Sequence, residues 1–322
     1  LAWSSKKFGI KAFIVMPKHA PLVKIQNTQA LDAEVILEGD TLDDALEIAK
    51  RISKKTGKLF VHGFEDECII AGNGTIGLEI LKQLPEVDTI VCSIGGGGLM
   101  SGIAIALKEL KPKTQLIGCQ ATGAASMIES FKSEHAISLG RVETFADGIA
   151  IKKTSEAIRK ILQPRLSQLL HSDDEAIAGA VLTLAEKAKI VTEGAGALPL
   201  AVLEQIQRKI KNKNVVLIVS GGNLDVNVLS RIIDRGLTRA GRRLRLNVLI
   251  SDRPGALANL TAFIAKMGVN ILQTIHDRNE PYTHIDQTEV ALTLETRGPE
   301  HTKKVISCLH EHVYRLEVVG SD

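Results

Sequence analysis

Ile90-Val91-Cys92-Ser93-Ile94-Gly95-Gly96-Gly97-Gly98-Leu99 is the stretch that decides the fold, because a short apolar run breaks into consecutive glycines before apolar residues resume at 100–107. This pattern predicts a buried strand, a tight turn and the start of a helix. Glycine is favoured where the backbone takes unusual angles or passes close to another group. The N–H groups of such a turn and helix start form a binding site for an anion such as a phosphate.

Length and composition indicate a globular protein of two or three domains. The chain has 322 residues, 44% hydrophobic content and a net charge of +3 from 40 basic and 37 acidic residues. This balance favours neither a nucleic-acid partner nor a membrane-binding face, and no apolar run approaches the ~20 residues that cross a bilayer. Cys68, Cys92, Cys119 and Cys308 include no Cys-x-x-Cys pair, so we expect reduced cysteines in a cytoplasmic protein.

Strands and helices alternate over the first part of the chain. We expect strands at 12–16, 33–38, 58–62, 90–94, 115–120 and 215–219, and helices at 1–8, 22–31, 40–57, 69–84, 99–110, within 126–142, and around 153–169, 173–188 and 194–210. The alternation predicts an α/β fold with mostly parallel sheets covered by helices. Such sheets bind ligands at the carboxyl ends of their strands.

The character of the sequence changes near residue 235. Arginines at 235, 239, 242, 243 and 245 form a basic connector, which we interpret as a solvated helix and a linker over 236–243. A nucleic-acid patch is the less favoured interpretation, because no aromatic residues accompany the arginines. Beyond the linker, strands at 244–250, 269–275, 287–295 and 313–319 and helices at 256–267 and 299–311 give the order βαββαβ. We therefore predict a separate small domain over 244–322.

Two further glycine turns add to the candidate site. Ser220-Gly221-Gly222-Asn223 follows an apolar strand, so we expect it at the same sheet edge as Gly95, where a serine hydroxyl can hydrogen-bond a ring nitrogen. Thr192-Glu193-Gly194-Ala195-Gly196-Ala197 places Glu193 in the first turn of a helix, where it either complements the helix dipole or lines the site. Together these turns suit a ligand with a phosphate at one end and a heteroaromatic nitrogen at the other.

The residues alone leave two other interpretations of Gly95–Gly98 open. A dinucleotide-binding turn has the spacing Gly-x-Gly-x-x-Gly and an acidic residue after the next strand, whereas this chain has adjacent glycines and Gln120 at that place. A tight strand-to-helix turn without any ligand would need the glycines only for close packing.

Five motifs in order along the chain resemble the threonine dehydratase (threonine ammonia-lyase) family of pyridoxal-phosphate enzymes, whose relatives include serine dehydratases and serine racemases. They lie at 72–80, 94–99, 146–148, 191–197 and 220–223. The resemblance implies a two-lobed fold like that of the tryptophan synthase β subunit, with 1–60 in the small lobe and 61–235 in the large cofactor-binding lobe. It also implies loss of water and then ammonia from L-threonine or L-serine, leaving 2-oxobutanoate or pyruvate.

The resemblance assigns roles to individual residues. It implies that the phosphate of pyridoxal 5'-phosphate is bound by the amides of Gly95, Gly96, Gly97, Gly98 and Leu99. It also implies that Ser220 hydrogen-bonds the pyridine nitrogen and that Gly148 and Glu193 line the site. By this resemblance, we expect the family's Schiff-base lysine, in a Ser-Phe-Lys-type motif, and its Ser-x-Gly-Asn-His loop to lie upstream of the region that this chain matches. Because Leu1 resembles a position inside a helix, we expect that the chain starts part-way through the small lobe and holds no catalytic lysine.

A metal site is not expected. Related racemases bind a divalent cation through carboxylates just after the strand that ends at Cys119, whereas this chain has Gln120 and Ser126 there. Hard cations prefer carboxylate oxygens, so the sequence predicts no metal.

Residues 244–322 resemble an ACT domain, a regulatory module that binds amino acids. The turn 252–257 matches its ligand loop, which implies that Asp252, Pro254, Gly255 and Ala256 receive an amino-acid effector. The same turn is also explained as a helix start with proline near its first position. ACT domains commonly pair between subunits, so a homo-oligomer is implied. The alternative function is that of a non-catalytic truncated relative that binds amino acids as a regulatory protein.

Overall fold

A computed structural model describes residues 1–278, 284–312 and 314–319. The chain divides into two compact units, of which the first comprises Leu1–Asp173 and Leu198–Val219 and the second comprises Asp174–Ala197 and Ser220–Asp322. This division differs from the predicted domains, because the expected boundaries at 60/61 and 235/236 each fall inside one unit.

The first unit begins with a small parallel sheet. Its elements are α1 (Ala2–Lys7), β1 (Phe13–Met16), α2 (Leu22–Gln29), β2 (Glu34–Leu37) and α3 (Leu42–Thr56). The strands β1 and β2 pair in parallel, from Phe13 opposite Glu34 to Met16 opposite Leu37. The helix α3, predicted at 40–57, is capped: Thr41 and Asp44 form a reciprocal capping box, and Gly57 ends the helix in the left-handed conformation.

The predicted strand at 58–62 is wrong. These residues have the apolar pattern of a strand, but in the described ranges they pair with no other strand, and Leu59 is 90% exposed. A strand needs a hydrogen-bonded neighbour, so an apolar pattern alone does not make one.

A larger parallel sheet forms the centre of the first unit. Its strands are β3 (Thr89–Ser93), β4 (Gln115–Ala121), β5 (Gln168–Ser172) and β6 (Val215–Leu217), in the spatial order β5-β4-β3-β6. The helices that follow or separate these strands are α4 (Glu67–Gln83), α5 (Gly98–Leu110), α6 (Ser126–Lys132), α7 (Glu156–Leu162) and α10 (Leu203–Ile210), and α9 (Gly194–Ala201) precedes α10. Every residue of β3 is buried, which confirms the predicted buried strand.

The helices α4 and α5 pack at close range against each other. Gly102 makes this approach possible, because a Cβ atom on it would overlap the carbonyl oxygen of Ile70. On its other side α5 buries Met100, Ile103 and Leu107 completely or nearly so, each contributing roughly 1.5–3 kcal/mol by burial. The glycine loop is therefore anchored at its carboxyl end by a well-buried helix.

The strand β5 was not predicted. Its first two residues fall in the expected helical segment 153–169 and its last three lie between that segment and the next, at 173–188, but α7 ends at Leu162 and Gln168–Ser172 pairs in parallel with β4. The segment contains leucine and glutamine and no β-branched residue, so its local propensity favours helix. Pairing at the edge of the sheet overrides that preference.

The second unit contains an antiparallel sheet. Its elements are α8 (Asp174–Thr183), a π-helical turn at Leu184–Ala188, α11 (Val226–Arg239), β7 (Arg243–Ser251), α12 (Ala256–Lys266), β8 (Asn270–Asp277), β9 (Gln287–Glu295), α13 (Pro299–Glu311) and β10 (Arg315–Val318). The sheet has the order β10-β7-β9-β8, with β9 antiparallel to both β7 and β8. The predicted βαββαβ order and its split βαβ arrangement are confirmed, except that Val313 lies outside the described residues.

The predicted linker at 236–243 is wrong, because α11 continues to Arg239 and β7 already begins at Arg243. The arginines of this region form ion pairs within the second unit: Arg235 and Arg239 with Glu175, Arg242 with Glu186, and Arg243 with Asp234. Their charges are thus neutralised by nearby carboxylates, which supports the solvated-helix interpretation. No helix of the described part of the chain has the length and apolar character needed to cross a membrane.

Candidate functional site

The glycine loop connects β3 to α5. Ile94 donates a backbone hydrogen bond to the Cys119 carbonyl at 2.8 Å, which keeps the chain in line with β4 one residue beyond β3. Gly97 then takes φ +90° and serves as the N-cap of α5 without any side-chain cap. This left-handed conformation is strained for any residue with a Cβ atom, so the turn requires glycine.

The loop presents a row of free backbone donors. The amides of Gly95, Gly96, Gly97, Gly98 and Leu99 donate no hydrogen bond to any residue that the structure describes. The four glycines are buried, and a buried N–H group without an acceptor is costly. The positive end of the α5 dipole lies at the same place. These donors fit a phosphate group.

The side of the loop where side chains would project is filled by protein. A Cβ atom on Gly95 would lie 2.9 Å from the Gly148 carbonyl oxygen, and one on Gly98 would lie 2.5 Å from the Phe64 carbonyl oxygen. On Gly96 it would overlap the Phe64 ring. Close packing therefore explains why glycines are needed, but it does not explain the unpartnered amides, for which an anion does.

Gly148, which the family resemblance places along the site, lies beside the glycine loop; its role at the cofactor stays a prediction. It belongs to a short 3-10 turn, Asp147–Ile149, which Lys24 of α2 reaches through an ion pair of 3.2 Å with the Asp147 carboxylate. This turn therefore supports Gly95 from one side of the loop.

Phe64 supports the loop from another side, and sequence reasoning missed it. It packs against the hydrophobic core around β3 and α5 and contacts both Gly96 and Gly98. The available signal was its rarity, because only 3% of the residues are aromatic and Phe64 stands in a loop just before α4.

His62 is the second missed residue. Its Nδ1 atom accepts backbone hydrogen bonds from Phe64 at 3.2 Å and Glu65 at 3.0 Å. Its ring meets the Phe64 ring edge to face, with centroids 4.6 Å apart. Partial burial lowers the pKa of His62, while the nearby Glu65 carboxylate opposes that change.

Ser220 and Glu193 belong to the second unit, where they lie on neighbouring turns. Gly221 has φ +84°, its carbonyl accepts from Thr192 Oγ1 at 2.8 Å, and a Cβ atom on it would overlap the Glu193 carboxylate. The Ser220 side chain is half-buried, and within the described ranges no group is hydrogen-bonded to its Oγ atom. Ser220 follows β6 in the chain; its contact with the pyridine nitrogen stays a prediction.

Gln120, which the sequence offers in place of a metal-binding carboxylate, is held by two hydrogen bonds. Its Nε2 donates to the Ile94 carbonyl at 3.1 Å and its Oε1 accepts from the Ile128 amide at 3.0 Å. Its amide thus ties β4 to the start of the glycine loop and to α6. The Ser126 hydroxyl is buried without a partner among the described residues. The expected absence of a metal stays a prediction.

The proposed effector turn of the second unit is exposed and largely satisfied by itself. The amides of Asp252, Arg253 and Ala256 already donate to backbone carbonyls, Pro254 has no N–H group, and the Asp252 carboxylate pairs with Arg278 at 3.0 Å. In the described part of the chain the amides of Gly255 and Leu257 are the ones of the turn 252–257 that have no acceptor. The assignment of Asp252, Pro254, Gly255 and Ala256 to an effector stays a prediction.

Comparison with known proteins defines the class. The profile of the pyridoxal-phosphate dependent enzyme family matches residues 1–221, so the chain belongs to this family. Its cofactor is therefore pyridoxal phosphate, and the dinucleotide interpretation of the glycine loop is set aside. The unpartnered amides of the loop and the absence of room for side chains fit the phosphate of this cofactor. The predicted α/β fold with a parallel sheet is confirmed as well.

Within this family, the chain is similar to several threonine ammonia-lyases and threonine deaminases. The chain is 42% identical to the L-threonine ammonia-lyase of Thermotoga maritima over 321 residues, which is 99% of this chain and 80% of that protein. It is 40% identical to the L-threonine ammonia-lyase of Geobacter sulfurreducens, covering 99% and 79%. Among solved structures it is similar to the processed threonine deaminase isoform 2 of Solanum lycopersicum, with a TM-score of 0.68, 34% identity and coverage of 72% and 68%.

Proposed function

We propose that the protein containing this chain deaminates L-threonine, and also L-serine, by β-elimination of water, giving 2-oxobutanoate or pyruvate and ammonia. The observation that carries the proposal is the row of unpartnered amides at Gly95–Leu99, in a chain that is 42% identical to a threonine ammonia-lyase over 99% of its length. The first feature supplies a site for the cofactor phosphate, and the second favours the reaction.

The chain contributes binding and orientation. When bound, pyridoxal phosphate supplies the electron sink that lets an amino acid lose its α-proton and β-hydroxyl. The amides of Gly95–Leu99 and the α5 dipole fix the phosphate and so set the position of the ring. In this proposal Ser220 hydrogen-bonds the pyridine nitrogen. A serine does not protonate that nitrogen as an aspartic acid would, which is compatible with an elimination that needs only modest electron withdrawal.

Ser220→Ala tests the ring contact in the protein that contains this chain. We expect ammonia release from threonine to fall about tenfold, the equivalent of one hydrogen bond of roughly 1–2 kcal/mol, with little change in the melting temperature. Ser251→Ala, at the exposed end of β7, is the control and keeps its turnover. Unchanged kinetics in Ser220→Ala would show that Ser220 does not face the ring.

The chain's lysines favour a second candidate function for the 322 residues taken by themselves. The sequence Ser130-Phe131-Lys132 reproduces the tripeptide, but it lies in α6, where the Lys132 side chain is 66% exposed and its Nζ atom lies 2.8 Å from the Glu129 carboxylate. We propose that this polypeptide alone binds the cofactor and amino acids without turning them over. The assay is ammonia release from L-threonine at saturating cofactor. Measurable release of ammonia by the polypeptide would contradict this second candidate function and would leave the enzyme proposal intact.

We also propose that the protein is a homo-oligomer and that its antiparallel domain binds an amino-acid effector. The βαββαβ order supports this, as does β8, an edge strand with Leu272 and Ile275 about half exposed. Sedimentation velocity should show a species larger than a monomer, which Ile275→Lys shifts towards monomer. A monomer at all concentrations would contradict the proposed homo-oligomer.

Titration with the L-amino acids should reveal one that binds in wild type and more weakly in Gly255→Ala. Absence of binding by any L-amino acid would contradict the proposed effector site.

A further inference from the structure

We propose that His62 is a positioning residue for the cofactor phosphate: its unprotonated Nδ1 atom holds the turn 62–65 and, through Phe64, the glycine loop in the shape that binds the phosphate. The inference rests on Gly95–Leu99 as the phosphate site and is independent of which amino acid is the substrate.

The first step is the hydrogen bonding of the imidazole. Nδ1 accepts from the backbone N–H groups of both Phe64 and Glu65, at 3.2 and 3.0 Å. An imidazole nitrogen accepts only when it carries no proton, so the neutral ring carries its proton on Nε2, which lies 3.7 Å from the Glu65 carboxylate. Since only 12% of the His62 side chain is exposed, few water molecules can replace Nδ1 as the acceptor.

The second step links this turn to the phosphate site. The Phe64 ring is held edge to face against His62 and lies against Gly96, while the Phe64 backbone lies against Gly98. These two glycines carry amides of the unpartnered row. A shift of Phe64 therefore removes the support on which the loop rests and lets the amides diverge from a common acceptor.

The third step is the effect of a proton. In the imidazolium both ring nitrogens are donors, so two backbone N–H groups would face a third donor and the turn would open. Burial lowers the pKa of His62 against the opposing charge of Glu65, which keeps the ring neutral near pH 7 and the turn closed. The other charged or titratable side chains that act on His62 or line the cavities beside it are Glu47, Lys50, Lys58, Asp66, His135, Arg141, Lys152, Lys153 and Glu156.

Two variants of His62 separate the roles of its nitrogens. The Asn Oδ1 atom occupies the place of Nδ1, so H62N keeps the acceptor and cannot be protonated, whereas the Gln Oε1 atom corresponds to Nε2 and H62Q loses the acceptor. The measurement is the dissociation constant of pyridoxal 5'-phosphate by calorimetry at pH 8. We expect H62Q to bind about tenfold or more weakly, for two lost hydrogen bonds, and H62N to stay within about threefold of wild type.

The pH profile is the readout that a merely structural role would not change. The phosphate itself takes up a proton near pH ~6, so wild type and H62N are compared at each pH from 8 to 5. We expect the affinity of wild type to fall more steeply than that of H62N as the pH falls. Amide hydrogen exchange of residues 94–99 should also be faster in H62Q than in H62N.

The outcomes distinguish failure of this inference from failure of the phosphate site. Pyridoxal, which lacks the phosphate, is the control ligand. If wild type binds pyridoxal as tightly as its phosphate ester, the phosphate site itself is wrong, and this inference falls with it. If the phosphate is recognised but H62N and H62Q bind alike, or the pH profiles of wild type and H62N coincide, His62 does not position the loop.

Discussion

Two helices of this protein start at a glycine with nearly the same backbone conformation, yet their surroundings are opposite. Gly97 caps α5 with φ +90° and Gly255 caps α12 with φ +91°, and neither cap has a side-chain hydrogen bond. A Cβ atom on Gly97 would overlap Ile158, whereas one on Gly255 would meet nothing within 4 Å. The same local turn is therefore a buried, packed element in the first unit and an open one in the second.

The two turns also differ in how many of their backbone N–H groups have no acceptor, and the buried turn has more of them. Gly95–Leu99 holds a continuous row of amides without acceptors, whereas in the turn 252–257 the free amides among the described residues are those of Gly255 and Leu257, separated by the Ala256 amide, which donates to the Arg253 carbonyl. A left-handed glycine before a helix thus marks where the helix starts. Burial combined with spare donors is what distinguishes a turn built for an anion.

The largest difference between the two turns should appear when each glycine becomes alanine. Gly97→Ala combines a left-handed alanine with a clash against Ile158, so we expect it to lower the free energy of unfolding by about 3–5 kcal/mol. Gly255→Ala has only the conformational cost of about 1–2 kcal/mol. Urea unfolding of both variants measures this, followed by hydrogen exchange to locate the unit affected.

Equal losses of stability in the two variants would break the comparison, because they would show that the packing around Gly97 adds nothing to its conformational strain. Gly140→Ala is the matched control, since Gly140 has an ordinary φ and open space around it; its stability should stay close to that of wild type.

A smaller effect is expected from the dependence of stability on pH, through Glu156 at the start of α7. Glu156 accepts from Arg159 at 2.6 Å and from the Ala136 amide at 2.9 Å, and the Arg159 hydrogen bond above all lowers the pKa of Glu156 from its ordinary 4.5 to about 2. A lowered folded-state pKa means that the contribution of Glu156 to stability is complete above about pH 4.5 and is lost as the pH falls towards 2.

The test compares wild type with Glu156→Gln from pH 7 to pH 2.5. We expect wild type to be the more stable protein at pH 7 and the difference in urea midpoint to shrink below pH 4.5, where the unfolded carboxyl becomes protonated. A difference in urea midpoint that is constant over this range would mean that the pKa of Glu156 is not lowered in the folded protein.

The smallest effect belongs to the exposed ion pairs of the second unit. Glu175 pairs with Arg235 at 2.6 Å and with Arg239 at 3.1 Å, but the arginine side chains are 70% and 64% exposed. Solvent-exposed pairs contribute about 1 kcal/mol or less, so Glu175→Gln should lower the free energy of unfolding by no more than that. At ~1 M salt the remaining difference should vanish; a loss of several kcal/mol would show that these pairs hold α8 and α11 together.

Much of the fold could be predicted because its signals are local. Sequence patterns predicted a strand at 287–295 and a helix at 40–57, and the structure gives β9 and α3 at these places. The strand predicted at 58–62 is wrong and the strand at 168–172 was not predicted, for opposite reasons. One has a strand pattern but no pairing partner, and the other has helix formers but a strand beside it. Pairing depends on distant residues, which no local pattern contains.

The site shows the same division. The glycine loop and the neighbouring Gly148 followed from motifs, whereas Phe64 and His62 did not, because their importance lies in contacts made across the fold. The residues Phe60, His62 and Phe64 alternate with period two, which is the pattern of a strand and does not indicate that two of these rings act on the glycine loop. Only the structure shows that one ring supports the loop and the other holds that ring in place.

The most direct measurement is the response of individual backbone amides to pyridoxal 5'-phosphate, followed by NMR of the ¹⁵N-labelled chain. The account predicts that the amide resonances of Gly95–Leu99 shift and their hydrogen exchange slows on addition of the cofactor, while those of Asp252–Ala256 do not change. Inorganic phosphate should move the same five resonances more weakly. If the cofactor binds and the Gly95–Leu99 amides keep their shifts and exchange rates, the glycine loop is not the phosphate site and the central claim is contradicted.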